Sequence, residues 1–289
     1  MKRKALKIIA LVLALVLIAG IGWFANALVG NPVSKYLANR SAEKYISEVY
    51  PQEDFLVREV RYDFKVCGYY AKIYSPRSID SDFSLSVDFL GKVLYDTYED
   101  RVLTGENTAQ RINKEYREAV DRVLNSPSYP YNSHIAFGDI EFIPEEYKDN
   151  YDVPSYAIVT ETLTPDILYD INEMGRKAGH LVIYVADDEL TEEKMAETLL
   201  GIKDIFDKSG VSFHAINCTI ENRKEDVPPS TDLKQIEVQH FLYSDIYKEG
   251  LAERVKKSIK ATEEYYREMD KIKEQEIAEY EASLSEKAE

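Results

Sequence analysis

Two adjacent acids, Asp187 and Asp188, close the run "HLVIYVA" and stand where sequence alone would put a divalent cation. Ligands of parallel sheets gather outside the carboxyl ends of the strands. Two carboxylates there, joined by Asp139 or Glu161, would supply the oxygen ligands a hard cation needs. The other account of the pair is a polar turn leading into a capped helix. A second acid group, "DTYED" with Asp96, Glu99 and Asp100, lacks the glycine-centred spacing of a calcium loop and reads as a solvated turn. Four histidines, His134, His180, His214 and His240, fall at the starts of predicted strands or within them. Neighbouring strands could bring two of them together as metal ligands; the competing account is core or edge histidines with satisfied hydrogen bonds. "SAEK", Ser41 to Lys44, matches the Ser-x-x-Lys pair of penicillin-recognising enzymes, but the partner motifs Ser-Asp-Asn and Lys-Thr-Gly are missing and a solvated helix face accounts for it. Phosphate loops, dinucleotide fingerprints, nucleophile elbows, zinc helices and paired Cys-x-x-Cys are absent from the sequence. No catalytic residue and no cofactor is assigned.

The elements that would carry these residues are signed along the chain. The expected class is α+β: a transmembrane helix over 8–29, an α-β-meander-α domain over 31–126, a two-layer α/β domain over 134–260 and an acidic helical tail over 261–289. Gly30 suits a helix end, Asn31 a cap and Pro32 a first helical position, so a new helix starts at once. Its inner face is Ala38, Ala42, Tyr45, Ile46 and Val49 at 3/4 spacing. "DFLVREVRYDFK", "VCGYYAKIYS", "FSLSVDF" and "GKVLYDTYED" read as successive strands. A helical stripe of Ala109, Ile112, Tyr116, Val120, Val123 and Leu124 follows. The pattern is similar to that of cystatin-like or PepSY-like modules.

After the linker "NSPSYPYNS", "HIAFGDIEFI" reads as a strand. Two helices carry start signals: Thr164 as cap with Pro165 next and Leu163 stapled to Leu168, and Thr191 as cap with Glu192 and Glu193 on the positive dipole end. "HLVIYVA" between them and "VSFHAINCTI" after them form a strand–helix–strand unit, hence a parallel pair. "NRKEDVPPSTD" reads as an exposed loop, "KQIEVQHFL" as the closing strand, and Ile246, Leu251, Val255 and Ile259 as the packed face of a last helix.

Charge excludes some partners. The formal net charge is −16, and without the four cations of the N-terminus (Lys2, Arg3, Lys4 and Lys7) the rest carries −20. Such a surface repels nucleic acid and anionic lipid head groups. Cys67 and Cys218 are expected to be free, strand-buried thiols, the alternative being one long-range disulfide. Residues 8–29 carry no charge; as a helix they would measure about 33 Å, against a hydrocarbon core of about 30 Å. The basic residues 1–7 would stay cytoplasmic and the bulk extracytoplasmic, at the cell membrane. Ala25-Asn26-Ala27 also fits a signal-peptide cleavage site, which would give a secreted protein.

Four stretches, "GNPVSKYLANRSAEKYI", "DTYEDRVLTGENTAQR", "AGHLVIYVADDELTEEK" and "DIYKEGLAERV", resemble the YfjL-like proteins of Gram-positive bacteria. The resemblance implies an N-terminally anchored extracytoplasmic protein and brings no catalytic residues. The expected role is a binding module for a protein, a peptide or an envelope component. The alternatives are a sensor working through a membrane partner and an envelope hydrolase with an acid or histidine site.

Overall fold

The computed structural model describes residues 2–150, 153–223 and 233–286. It is α+β and divides into two compact units, Met1–Gln110 with Thr160–Ile167, and Arg111–Val159 with Leu168–Glu289.

The transmembrane expectation over 8–29 is corrected. Lys2–Val29 form a helix, α1, but among the described residues no helix is long and apolar enough to cross a membrane. Gly30, at φ 70°, ends α1, and its N–H donates to Asn26 O at 2.9 Å. Helix α2 (Pro32–Val49) starts as the sequence implies: the Asn31 side chain accepts from Ser34 N–H at 2.8 Å, and Pro32 needs no donor. Ser34, Ala38, Ala42 and Ile46, four apart, form its buried face, while Val49 is exposed.

Strands β1 (Leu56–Asp63), β2 (Gly68–Tyr74), β3 (Phe83–Val87) and β4 (Val93–Asp96) make an antiparallel meander in that order. Register puts Val60, Ala71 and Leu85 on one face, and this face is buried with α2 in one core. Tyr50, Phe55, Phe83 and Tyr98 interlock with centroids 4.8–5.7 Å apart. The hydroxyls of Tyr45 and Tyr50 donate to Asp96, so the leading acid of "DTYED" is a structural acceptor. Cys67, in the β1–β2 turn, is free and exposed rather than strand-buried.

The segment Thr160–Ile167 completes this unit, and here the expected Thr164 cap fails. Asp166 adopts φ 65°. Its carboxylate accepts from Ile79 N–H (2.8 Å), Ser78 Oγ–H (2.9 Å) and Asp80 N–H (3.3 Å). The buried carboxylate of Asp80 accepts in return from Asp166 N–H (2.8 Å) and Thr108 Oγ–H (3.0 Å). A left-handed residue bonded to a distant loop cannot open a helix. Leu168, the expected staple, is 82% exposed.

Helix α3 (Glu106–Leu124) continues into the second unit, where Tyr116 Oη–H donates to Ser212 O at 3.0 Å and Asn113 Oδ1 accepts from Ile140 N–H at 2.9 Å. Strand β5 (Ile135–Ile140) is followed by β6 (Phe142–Ile143), which pairs in parallel with β7 (Ile158–Val159). Helix α4 (Ile171–Ala178) is capped by Asp170, whose side chain accepts from Asn172 and Glu173 N–H. Strand β8 (Gly179–Ala186), helix α5 (Glu192–Ser209) and strand β9 (Ala215–Glu221) form the expected unit, with β8 and β9 parallel. Thr191 caps α5 and accepts from Lys194 N–H at 3.1 Å. Strand β10 (Gln235–Leu242) and helix α6 (Leu251–Glu286) close the unit, and the sheet order is β10-β9-β8-β5. Leu181, Ile183, Ile216, Cys218 and Ile220 are buried in the central strands, with Met195, Leu199, Ile202 and Phe206 from α5. Cys218 is free. The expected loop "NRKEDVPPSTD" lies, from residue 224 to 232, outside the described residues.

Candidate functional site

Three of the four histidines meet in the second unit, at the opposite end of the sheet from Asp187 and Asp188. His180 is the second residue of β8. His214 immediately precedes β9, which is parallel to β8 and held there by His214 N–H donating to Gly179 O at 2.7 Å. His240 lies near the end of β10, which runs antiparallel to β9 and so brings its last residues to the same edge. Glu141 directly follows β5, whose Ile140 is paired with Gly179.

A bulge delivers His240. The β10–β9 register is regular to Val238 opposite Cys218 and resumes at Phe241 opposite Ile216, leaving Gln239 and His240 against Asn217 alone. His240 takes up the distortion at φ 48°, and its N–H donates to Asn217 Oδ1 at 2.7 Å. Left-handed backbone costs a residue with a Cβ about 1–2 kcal/mol, and such strain clusters at functional sites. Bulges re-aim side chains, and this one turns His240 onto Tyr156, which comes from the segment leading into β7.

The polar contacts form a relay. Glu141 Oε1 lies 2.6 Å from His180 Nδ1. The Tyr156 hydroxyl lies 3.2 Å from that same nitrogen and 2.8 Å from His240 Nδ1. The Tyr156 ring packs 4.5 Å from His214, and the His180 and His240 rings are 4.9 Å apart. A carboxylate only accepts, so His180 carries its proton on Nδ1 and donates it to Glu141. Tyr156 therefore cannot donate to His180, and of its two described hydrogen-bond neighbours His240 Nδ1 is the one that can take its proton. Neutral His240 then keeps its proton on Nε2. His180 is 4% exposed, and its Nε2 has no hydrogen-bond partner among the described residues.

Electrostatics hold these states near neutral pH. Burial of its inner side, reinforced by His180 and opposed by Glu141, keeps the His240 pKa below the usual histidine value. Burial, reinforced by the charge of Glu141, pushes the Tyr156 hydroxyl above the usual tyrosine range, so it stays a donor. His240 lines a cavity of about 330 Å³ between β10 and α6, walled also by Pro154, Ser258, Ala261, Thr262 and Tyr266 among others. No charged side chain is among the described residues lining it.

The residues singled out from sequence fare unevenly. Asp187 accepts from Glu189 N–H at 2.9 Å and lies 3.2 Å from Lys194 Nζ, contacts that hold its carboxyl below the usual range. Asp188 is exposed, and Asp139 is engaged by Arg117. Among the described residues no group of three His, Cys, Asp or Glu side chains could hold a metal ion. His134 is not part of the cluster: its Nδ1 lies 3.4 Å from Glu221 at the last residue of β9. Lys44 pairs with Glu48. Glu141, Tyr156 and the strained backbone of His240 were missed, and nothing in their local sequence marks them.

Residues 5–97 match the family model of the YfjL-like N-terminal domain, and residues 115–256 that of the YfjL-like C-terminal domain. The chain belongs to the YfjL-like family. No curated protein and no solved structure matches it. Glu141, Tyr156, His180, His214 and His240 all fall within the YfjL-like C-terminal domain, whereas the α6 wall of the cavity, from Ser258 onward, lies past the matched residues.

Proposed function

We propose that this YfjL-like protein is a binding module and that the cavity beside His240 seats its ligand, a small molecule or a peptide segment. One observation carries the reading: a histidine kept in strained backbone, tethered by Asn217 and Tyr156, in the lining of a cavity. A fold gains nothing in packing from holding an imidazole this way, whereas a recognition site gains a donor fixed in place. The volume falls at the lower end of ligand pockets, about 300–1,000 Å³, and the walls mix apolar surface with hydroxyls, as such pockets do.

The test is a thermal-shift screen of the full chain against neutral small molecules and short peptides. Ala261→Phe, which projects a ring from α6 into the cavity, is the control. A compound that raises the melting temperature of the parent but not of a folded Ala261→Phe variant supports the reading. A screen in which every shift is equal in both proteins overturns it.

A further inference from the structure

The relay behind His240 defines what the cavity recognises. Tyr266 turns its hydroxyl to Glu237, and the Ser258 and Thr262 hydroxyls and the Gln239 amide do not discriminate, because each can donate or accept. His240 cannot. Its Nδ1 is filled by the Tyr156 hydroxyl, which in turn is barred from His180 by the proton that His180 gives to Glu141. The only polar atom His240 has left for an occupant is Nε2, and it bears hydrogen.

We infer that the cavity selects a neutral ligand presenting a hydrogen-bond acceptor, an amide or ketone oxygen, to the Nε2–H of His240. This rests on the reading of the cavity as a ligand seat. A donor-only cation would meet the Nε2–H head-on and leave it unsatisfied, at about 1–3 kcal/mol. An anion would accept the bond, but it would lose water in a cavity with no cation among its described lining residues, close to Glu141 and within a chain of net charge −16. A neutral carbonyl meets neither cost. Glu141, His180 and Tyr156 are thus positioning residues: they fix which nitrogen of His240 faces the ligand.

Three fragments of nearly one shape separate these cases: benzamide, the benzamidinium cation and benzoate. Each is titrated into the full chain labelled with ¹⁵N at histidine, in the parent and in Ala261→Phe, with Ser258→Leu as a second cavity-filling variant should the first not fold. The expected spectrum of the parent shows His240 protonated at Nε2. Benzamide shifts that resonance, loses the effect in the filled variant, and binds about tenfold or more tighter than either charged fragment. Tyr156→Phe frees the tautomer, so His240 populates both protonation sites and the preference for benzamide shrinks. Benzamidinium or benzoate binding as tightly as benzamide, and lost on filling, would overturn the acceptor rule and leave the seat standing. A His240 protonated at Nδ1 in the parent would overturn the relay. Failure of all three fragments to move His240 would overturn the seat itself.

Discussion

At the scale of single residues, the molecule sets two side chains in left-handed backbone and uses them differently. Asp166 fastens one loop to another. Alanine there removes acceptors from the amides of Ile79 and Asp80 and from Ser78, so Asp166→Ala should cost about 1–3 kcal/mol. Asp166→Asn keeps the carbonyl acceptor and the tolerance of left-handed backbone and should lose less; urea denaturation of both variants checks the order. His240 should appear in the dependence of stability on pH. Its pKa is lowered in the fold, so the unfolded chain, titrating near 6.5, takes up the proton first as pH falls. The contribution of the neutral ring is complete above that pH and is lost progressively below it, down to the folded-state pKa. His240→Asn, which suits the backbone and does not titrate, should flatten the melting temperature between about pH 7 and pH 5. Neither residue announces itself in sequence. Asp166 is bonded to a loop more than eighty positions away, and the His240 conformation follows from a register shift that alternation of residue types cannot reveal.

Elements were more legible where their signals are local. The cap at Asn31 and Pro32, the cap at Thr191, the four strands of the meander and the parallel pair around α5 follow from neighbouring residues and from the crossover rule. The start of α4 was misread because Thr164 and Pro165 imitate a cap while Asp166 breaks the path. Asp187 and Asp188 follow the last residue of β8, whereas the histidine cluster lies at the other end of the strand, where the contributing residues are distant in sequence. Two helical glycines show how packing overrides propensity. Alanine in a helix is favoured over glycine by about 1 kcal/mol. A Cβ at Gly175 in α4 would lie 2.3 Å from Ser212 O and 2.7 Å from the Tyr116 ring. The backbone cannot yield cheaply, so Gly175→Ala should destabilise by about 2 kcal/mol or more. A Cβ at Gly201 in α5 would meet the far end of the Tyr131 side chain, its hydroxyl at 2.0 Å and Cζ at 3.3 Å. That ring end can swing away at the cost of its bond to Thr198 O, about 0.5–1.5 kcal/mol. Gly201→Ala should therefore be close to neutral, and the two variants are separated by their denaturation midpoints.

Over the whole molecule the excess of acid dominates. There are 52 acidic against 36 basic side chains, and exposed pairs such as Lys44–Glu48 and Lys177–Glu173 are worth about 0–1 kcal/mol each. Screening weakens those pairs and the general repulsion together, and the repulsion is the larger. Raising salt from about 10 mM to 150 mM, which shortens the screening length from about 30 Å to about 8 Å, should raise the melting temperature by about 2–4 °C, equivalent to about 1 kcal/mol at this size. A melting temperature that falls over this range would show that the ion pairs matter more. The return of Thr160–Ile167 to the first unit has a consequence in time. The amino-terminal unit lacks its last piece when Gln110 leaves the ribosome, and waits for another 57 residues, roughly 3–11 s at bacterial or eukaryotic elongation rates. During that interval the Asp80 carboxylate lacks the Asp166 amide it will accept from. The nascent first unit is thus exposed to proteases and chaperones for seconds after most of its chain has been made.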